Sequence, residues 1–372
     1  MKSSFNLGRI FGIPLRLHYT WFFIFVLMTA SLVAYLPTSE PYILWQRIVL
    51  GVTASLLLFV SIIAHELAHS LVALKNGIPV KGITLFVFGG VSQIAKEASR
   101  PNTEMLIAIV GPLASVAIAG IFLGASFLLS EPLATVAQWL AFVNGLMAVF
   151  NLIPGFPLDG GRVLRSIVWL RTGNYMRGTR IATSSGRVIG YVFVVGGITF
   201  MFITGEWIGG LWLAFIGWFL ETAATISYRQ ASFHDALRGS TVQDIMIEDR
   251  YLLLAVAPRE LSLERLAQDY ILRTGRRSFM VAADGNLEGI ITLHDVKKVS
   301  RDRWSAISVG DIMVPRAKLR TAHPDQDALG LLEEMDEGNI NEVPVIKGDK
   351  IIGMVTRDNL NHRLRIRTEL KM

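Results

Sequence analysis

The sequence contains no cysteine, and its first 230 residues consist mainly of long apolar stretches with few charged residues. The absence of cysteine excludes a disulfide framework and any thiolate ligand for a metal ion. The 36 lysines and arginines exceed the 30 aspartates and glutamates, which gives a formal charge of +6. Nucleic acid is not the expected partner, because the cytoplasmic loops of a membrane protein account for such an excess.

Apolar runs long enough to cross a bilayer as helices, which takes about 20 residues, are concentrated in residues 1–230. Six spans are predicted, at 17–36, 48–74, 105–130, 133–153, 188–203 and 207–228. The first is interpreted as a retained anchor, because it is too long for the apolar part of a signal peptide. The predicted fold class is a multi-pass α-helical membrane domain, residues 1–230, followed by a soluble α/β tail.

Basic residues indicate the orientation of these spans, because they favour cytoplasmic loops. They occur at the amino terminus, between spans two and three, and after span four, whereas the alternate connections are mainly acidic. Arg47 is the one basic exception on the opposite side. The pattern predicts a plasma-membrane protein with both termini, and therefore the tail, in the cytoplasm.

The second span contains "HELAH", residues 65 to 69, which is the helical zinc pattern H-E-x-x-H. His65 and His69 lie one helical turn apart, so both imidazoles can bind the same Zn²⁺ ion. Glu66 projects from a neighbouring face and would activate the metal-bound water, by analogy with other zinc peptidases. The alternative is a pair of packed histidines, but ionisable groups inside a membrane are usually functional.

A third ligand can be sought among the remaining polar residues of the membrane half. His18 lies at the mouth of span one, and the acidic candidates are Asp159 and Glu221. Asp159 belongs to "NLIPGFPLDGG", residues 151 to 161, whose prolines and glycines must break the helix. Broken backbone at membrane depth requires a protein or water-filled surrounding, which favours Asp159 over a simple interfacial turn.

The two motifs together resemble the site-2 protease family of intramembrane metalloproteases, over essentially the whole membrane half. By that resemblance His65, His69 and Asp159 bind zinc, and Glu66 is the catalytic base. Asn151 matches a family asparagine that assists at the active site. The resemblance implies a zinc endopeptidase that hydrolyses peptide bonds in or near the transmembrane segments of membrane proteins.

Residues 82–94, "GITLFVFGGVSQI", alternate and then turn at a Gly-Gly pair, which predicts a β-hairpin or a re-entrant loop. Peptide hydrolysis needs an extended substrate, because a helix hides its carbonyls in internal hydrogen bonds. An exposed strand edge could hold such a segment by β-augmentation. A hairpin that merely fills the bundle is an equally weighted alternative.

The tail repeats itself. "TVQDIM" at residue 241 recurs as "SVGDIM" at 308, and "GIITLHD" at 289 recurs as "GMVTRDN" at 353. An internal repeat of this size predicts two copies packed on each other, residues 241–300 and 301–372.

The copies resemble cystathionine-β-synthase (CBS) domains, which pair to bind adenine nucleotides such as ATP or AMP. The family's ribose-binding pattern is matched by Thr292 and Asp295. In the second copy Thr356 is followed by Asn359 where the pattern has aspartate, and Asp358 stands beside it. The alternative is a pair without ligand that is either structural or joins two chains in a homodimer.

Two other functions compete with the peptidase. A channel or transporter gated by the CBS pair would also have several spans and intramembrane charge, but it predicts polar residues strung across many spans and inverted repeats. An inactive relative that only binds membrane proteins is the third possibility. The intact "HELAH" motif and Asp159 argue against it.

Overall fold

The computed structural model of the chain describes residues 4–35, 43–87, 89–94, 97–248, 256–283, 286–338, 340–348, 350–357 and 360. The chain divides into two units, Met1–Ala231 and Ser232–Met372. The first unit contains strands β1 (Ser4–Ile10), β2 (Ile13–His18), β3 (Val80–Phe86) and β4 (Gly89–Ile94). Its helices are α1 (Thr20–Tyr35), α2 (Leu44–Lys75), α3 (Pro101–Ser126), α4 (Leu133–Asn151), α5 (Asp159–Thr172), α6 (Tyr175–Thr204) and α7 (Trp207–Leu237), the last of which ends in the second unit.

Within the described residues, five helices are long and apolar enough to cross a membrane: α2, α3, α4, α6 and α7. The helix α1 has 16 residues, fewer than the roughly 20 that a span requires. The multi-pass helical membrane domain is therefore confirmed, but the count of six spans is not. The predicted fifth span, 188–203, is only the second half of α6, whose first half was obscured by its basic residues.

A four-stranded sheet lies beside the helices, in the order β1-β2-β3-β4. The strands β3 and β4 form the antiparallel hairpin predicted over residues 82–94, but the Gly-Gly pair begins β4 instead of forming the turn. The amino-terminal hairpin of β1 and β2 was not predicted, and β2 pairs in parallel with β3. Because residues 13–18 form a strand, the first helix starts at Thr20 rather than at Leu17.

The sheet packs directly on α2. Ile13, Leu15 and Ile83 form a buried cluster, against which Ile63 and Leu67 of α2 pack. Ile63 and Leu67 flank the first histidine of the "HELAH" motif in sequence. The apolar face of the sheet therefore fixes β3 and β4 next to the motif, and burial of such side chains contributes about 1.5–3 kcal/mol each.

The second unit is an α/β domain built from short elements. They are α8 (Val242–Ile245), β5 (Ile247–Glu248), β6 (Val256–Ala257), α9 (Leu263–Arg265), α10 (Leu272–Thr274), β7 (Ser278–Ala283), β8 (Asn286–Thr292), α11 (Leu293–Lys297), α12 (Val309–Ile312), β9 (Val314–Pro315), α13 (Ala328–Glu337), β10 (Glu342–Lys347) and β11 (Lys350–Thr356). The hairpin β7–β8 recurs as β10–β11, with both strands beginning and ending 64 residues later. The internal repeat in the sequence is thus a repeat of structure.

The two copies exchange their opening segments. Val242 of α8 packs with Val343 and Val355 in the core of the second copy. Val309 of α12 packs with Phe279 in the core of the first copy. Each core is therefore completed by residues that the other copy supplies in sequence, and the boundaries 241–300 and 301–372 remain a prediction from the sequence repeat.

Candidate metal centre

The helix α2 presents both histidines of the "HELAH" motif on its buried side. His65 and His69 are each only 4% exposed, and their Nε2 atoms lie 3.2 Å apart. One helical turn separates them, so the two rings stand on the same face of α2. The predicted pairing of the two imidazoles is present in the structure.

Asp159, the first residue of α5, lies next to both histidines although it is distant from them in sequence. Its Oδ2 atom lies 3.3 Å from Nε2 of His65 and 3.2 Å from Nε2 of His69. The three ligand atoms all lie within 4.8 Å of one another, and within the described ranges this is the one such group of metal-ligating side chains.

The helix α3 orients both imidazole rings through their other nitrogen atoms. Nδ1 of His69 lies 2.6 Å from the carbonyl oxygen of Ile107, and Nδ1 of His65 lies 2.8 Å from Oγ of Ser115. A carbonyl oxygen only accepts, so Nδ1 of His69 is the donor, and in the neutral ring Nε2 is the nitrogen that can bind a metal ion. Partners of this kind fix the tautomer and the orientation of metal-binding histidines.

The donor set and the space around it fit Zn²⁺. Two imidazoles and one carboxylate are typical of catalytic zinc sites, which keep a further coordination position for water or substrate. Gly111 of α3 keeps the space at His69 open, because a Cβ there would lie 2.1 Å from Nε2 of that histidine. The backbone of α3 can approach His69 this closely only because residue 111 is a glycine.

Glu66 stands beside His65, His69 and Asp159 and contributes no atom to their group. Its Oε2 atom accepts a hydrogen bond of 3.1 Å from the backbone N–H of Ser92 in β4. Gly90, also in β4, lies so close that a Cβ there would be 2.6 Å from Cγ of Glu66. The β3–β4 hairpin therefore holds the carboxylate that the sequence marks as the base.

The segment 152–158 connects α4 to α5 without regular structure and is held by α6. The backbone N–H of Phe156 donates to the carbonyl of Ala182 at 3.1 Å, and Oγ of Ser185 donates to the carbonyl of Pro154 at 2.5 Å. The predicted helix break is present, and groups of the protein itself satisfy part of its backbone, as a break at membrane depth would require.

A buried ion pair fixes α5 further along its length. Arg165 of α5 is 7% exposed and Glu104 of α3 is 1% exposed, and Nε of Arg165 lies 2.6 Å from Oε1 of Glu104. The guanidinium group also donates to the hydroxyl of Tyr175 in α6, and it lies 4.8 Å from the ring centre of Phe156. Because removing one partner would leave a buried charge unpaired, this pair holds α3, α5 and α6 in one arrangement.

The other candidate residues of the membrane half lie outside this group. Nδ1 of His18 lies 2.9 Å from Oγ1 of Thr20. Glu221 lies 3.4 Å from Nε of Arg187 and accepts a hydrogen bond from Thr225. Asn151 ends α4 and is half-buried. No hydrogen bond of the Asn151 amide is found among the described residues.

In the tail, Thr292 and Asp295 form a helix cap. Oγ1 of Thr292 donates to Oδ2 of Asp295 at 2.6 Å, and Nζ of Lys298 lies 2.9 Å from the other carboxylate oxygen. Burial opposes ionisation of Asp295, but these hydrogen bonds outweigh it and hold the pKa of the carboxyl group below its usual value. Thr356 ends β11, whereas Asn359 and its neighbour Asp358 lie outside the described residues.

A cavity of about 490 Å³ lies beside the first cap. It is lined by Thr292 but not by Asp295, and it brings together Arg277, His294 and Lys297. A second cleft, of about 600 Å³, is lined by Thr356 and again by Arg277. Both copies therefore contribute a threonine to a cleft that also contains basic side chains.

Ser115, Gly111 and the β4 residues that hold Glu66 were not predicted from the sequence. Ser115 and Gly111 occur within an apolar run of α3, where a small residue has many ordinary uses. Their role depends on the packing of α3 against α2, which no local pattern reveals. A glycine followed by proline in the middle of a span, at 111–112, is the one local signal that could have drawn attention to α3.

Comparison with known proteins decides the family. The model of peptidase family M50 matches residues 53–135 and 128–195, and the CBS domain model matches residues 309–365. A Mycobacterium tuberculosis protein whose name describes it as a zinc metalloprotease, Rip3, is 36% identical over 364 residues, which cover 96% of this chain and 91% of that protein. The chain belongs to peptidase family M50.

Other relatives agree with this assignment. A zinc metalloprotease of Methanocaldococcus jannaschii is 29% identical to this M50 peptidase and covers 100% of this chain and 98% of its own. The solved site-2 protease from the same organism is 29% identical and covers 60% of this chain and 95% of that one, with a TM-score of 0.45. The resemblance to site-2 proteases in the two sequence motifs is confirmed by the family model and by the relatives that match over nearly the whole chain. This M50 peptidase is a zinc metalloprotease with a CBS domain, and the family relationship favours the peptidase over the channel alternative.

Proposed function

We propose that this M50 peptidase cuts membrane proteins in or near their transmembrane segments, with His65, His69 and Asp159 as zinc ligands and Glu66 as the base. The convergence of one atom from each of the three ligands, at 3.2–3.3 Å, is the observation that carries the assignment. Zinc in such a site polarises a peptide carbonyl and makes water more acidic.

The residues around the proposed ligands transfer the proton, orient the imidazole rings and bind the substrate. Glu66 accepts the proton of the attacking water, and the backbone N–H of Ser92 keeps its carboxylate aimed at the site. Ile107 and Ser115 hold the imidazole rings in place. Asn151, at the end of the helix that leads into the segment before Asp159, is proposed to hydrogen-bond the substrate or the developing charge, as the family resemblance implies.

The strand β4 is proposed to hold the substrate in an extended form. It is an end strand of the sheet, and no strand of the described residues pairs with its outer edge, to which a further strand could add. The same strand contacts Glu66 through Gly90 and Ser92. A segment added to β4 would therefore lie next to the base, and a hairpin that only fills the bundle would not need this contact.

We propose that α1 crosses the membrane together with the five longer helices, and that both termini lie in the cytoplasm of a plasma-membrane protein. The distribution of basic residues supports this orientation. The one exception has a structural explanation, because a terminal nitrogen of Arg47 donates to the carbonyl of Val33 near the end of α1 at 2.6 Å. Arg47 completes hydrogen bonding at a helix end there and need not indicate a cytoplasmic loop.

The tail is proposed to bind ATP or AMP, with Arg277, His294 and Lys297 on the phosphates and the cap of Thr292 and Asp295 near the ribose. The volume of the cavity and its basic lining support this ligand class. To affect cleavage, the nucleotide must bind one arrangement of the protein more tightly than another. A ligand-free pair that joins two chains in a homodimer is the alternative.

Replacing Asp295 with alanine should weaken ATP or AMP binding to the full-length protein by roughly five- to hundredfold, because Thr292, which lines the cavity, would lose the carboxylate that holds it there, at about 1–3 kcal/mol. Isothermal titration calorimetry in detergent measures this directly. Asp311→Ala is the matched control, because Asp311 caps α12 by the same hydrogen bonds from Ser308. Equal binding by both variants, or none by the native protein at millimolar nucleotide, would leave the tail as a dimerisation module.

A further inference from the structure

The amino-terminal hairpin, residues 4–18, has a strand that nothing in the described chain covers. The strand β1 stands at the end of the sheet, and every residue of it after Ser4 is exposed. Phe5 is 61% exposed, and Phe11, in the turn that follows, is 73% exposed. Large apolar side chains on a free strand edge are an aggregation hazard in water, so this strand needs an external partner.

The two faces of the hairpin differ in chemistry. Phe5 stands opposite Leu17 and Ile10 opposite Ile13, so these β1 residues extend the apolar face on which β2 packs against α2. On the other face Asn6 stands opposite Arg16. Arg9 shares that face, opposite Pro14. The hairpin is therefore amphipathic, with an apolar face that continues past its own core and a basic face behind it.

The turn of the hairpin places a phenylalanine where the backbone disfavours it. Phe11 has φ of 50° and Gly12 has φ of 81°, which is the two-residue turn that asparagine followed by glycine usually forms. A bulky residue in the left-handed region is an outlier, and such strain persists where the surroundings compensate for it. The exposed ring of Phe11 gains no such compensation from water.

The apolar face of β1 is continuous with the surface of α1. The ring centroids of Phe5 and Phe22 lie 6.5 Å apart in an edge-on arrangement, and Phe22 and Phe23 of α1 are 49% and 68% exposed. Together these side chains form one apolar surface that runs from a short helix of a membrane protein onto the hairpin. A partner that covers α1 would also reach Phe5.

We propose that the hairpin of residues 4–18 binds the surface of the bilayer, with Phe5, Ile10 and Phe11 among the acyl chains and Arg9 and Arg16 on anionic headgroups. The unpaired backbone edge of β1 requires water or headgroups for its hydrogen bonds, so the strand lies at the interface rather than in the hydrocarbon. Aromatic and basic side chains together are the usual composition of interfacial segments. This binding does not depend on the proposed proteolysis.

The absence of native cysteine allows a direct test on the full-length protein. Single-cysteine variants Phe5→Cys and Phe11→Cys carry a nitroxide label, and Asn6→Cys on the polar face of the same strand is the matched control. In vesicles that contain anionic lipid, labels at 5 and 11 should be far more accessible to oxygen than to a water-soluble nickel chelate, at a depth of about 5–10 Å. The label at 6 should show the reverse.

The charge component is tested by replacing Arg9 with glutamine in the labelled Phe11→Cys protein. The ratio of inserted to water-exposed label should fall about fivefold in anionic vesicles and remain unchanged in zwitterionic ones. Equal exposure to water at all three positions would refute the proposal. Labels at 5 and 11 that are shielded from both oxygen and the chelate would also refute it, because they would show a protein occupant, either a substrate strand or a second copy of this chain.

Discussion

The Glu66→Ala protein will still bind about one zinc ion per chain, the usual content of a catalytic zinc site with three protein ligands. It will no longer cut its substrates. Glu66 supplies none of the three converging ligand atoms, so its loss leaves the metal ligands in place. Loss of a general base costs about 10²–10⁴-fold in rate, which brings cleavage to background. His65→Ala and Asp159→Ala should lose both zinc and cleavage, because each removes one of three protein ligands.

Metal content by mass spectrometry of the purified proteins, with cleavage of a labelled membrane substrate in vesicles, distinguishes these outcomes. Glu221→Ala is the matched control: it removes another carboxylate from a membrane helix, but one that pairs with Arg187 away from the ligands. That variant should retain both zinc and activity. Cleavage at the native rate by Glu66→Ala would overturn the assignment of the base.

The second large effect comes from a single methyl group on α3. In Gly111→Ala, the new Cβ would lie 2.1 Å from Nε2 of His69, so either the imidazole or the helix must move. The histidine is already held at Nδ1 by Ile107 on the same helix, which leaves the ring little freedom to turn away. Zinc should be lost, and activity should fall by roughly 10²-fold or more, as misplacement by about 1 Å costs.

The control for this variant lies on the same helix. No heavy atom would lie within 4 Å of a Cβ at Gly120 or Gly124, so Gly120→Ala and Gly124→Ala should keep zinc and activity, and alanine should favour the helix slightly. Metal analysis and the cleavage assay are read together for all three proteins. Native zinc content in Gly111→Ala would mean that α3 and α2 can separate at the metal centre without cost.

The convergence of the candidate metal ligands could be predicted because their chemistry is local in sequence. Two histidines one turn apart need only a helix to meet, and an apolar run of this length supplies one. Asp159 was identified by a different route, since few acidic residues occur in the apolar half and the glycines and prolines around this one preclude a continuous helix. The assignment of these residues as ligands is still a proposal, which the metal analysis tests.

The membrane helices were predictable where hydropathy alone decides, as in α2, α3 and α4. Hydropathy did not predict the first half of α6, because that half is amphipathic and contains basic residues. It also did not reveal the strand at residues 13–18, because Leu15 and Leu17 are as apolar as residues of a membrane helix. Strand pairing between β2 and β3 joins residues more than 60 positions apart. Such non-local contacts leave no periodic signal in either segment.

The exchange of opening segments between the two copies of the tail has a consequence for its synthesis. On the ribosome, Val242 emerges roughly one hundred residues before Val343 and Val355, with which it shares a core. At the usual rate of about 5–20 residues per second, its apolar side chain waits for several seconds without its neighbours. The first copy waits as well, until Val309 has been made. The core of the first copy can close once Val309 has emerged, whereas the core of the second copy stays incomplete, and accessible to proteases and chaperones, until Val343 and Val355 emerge.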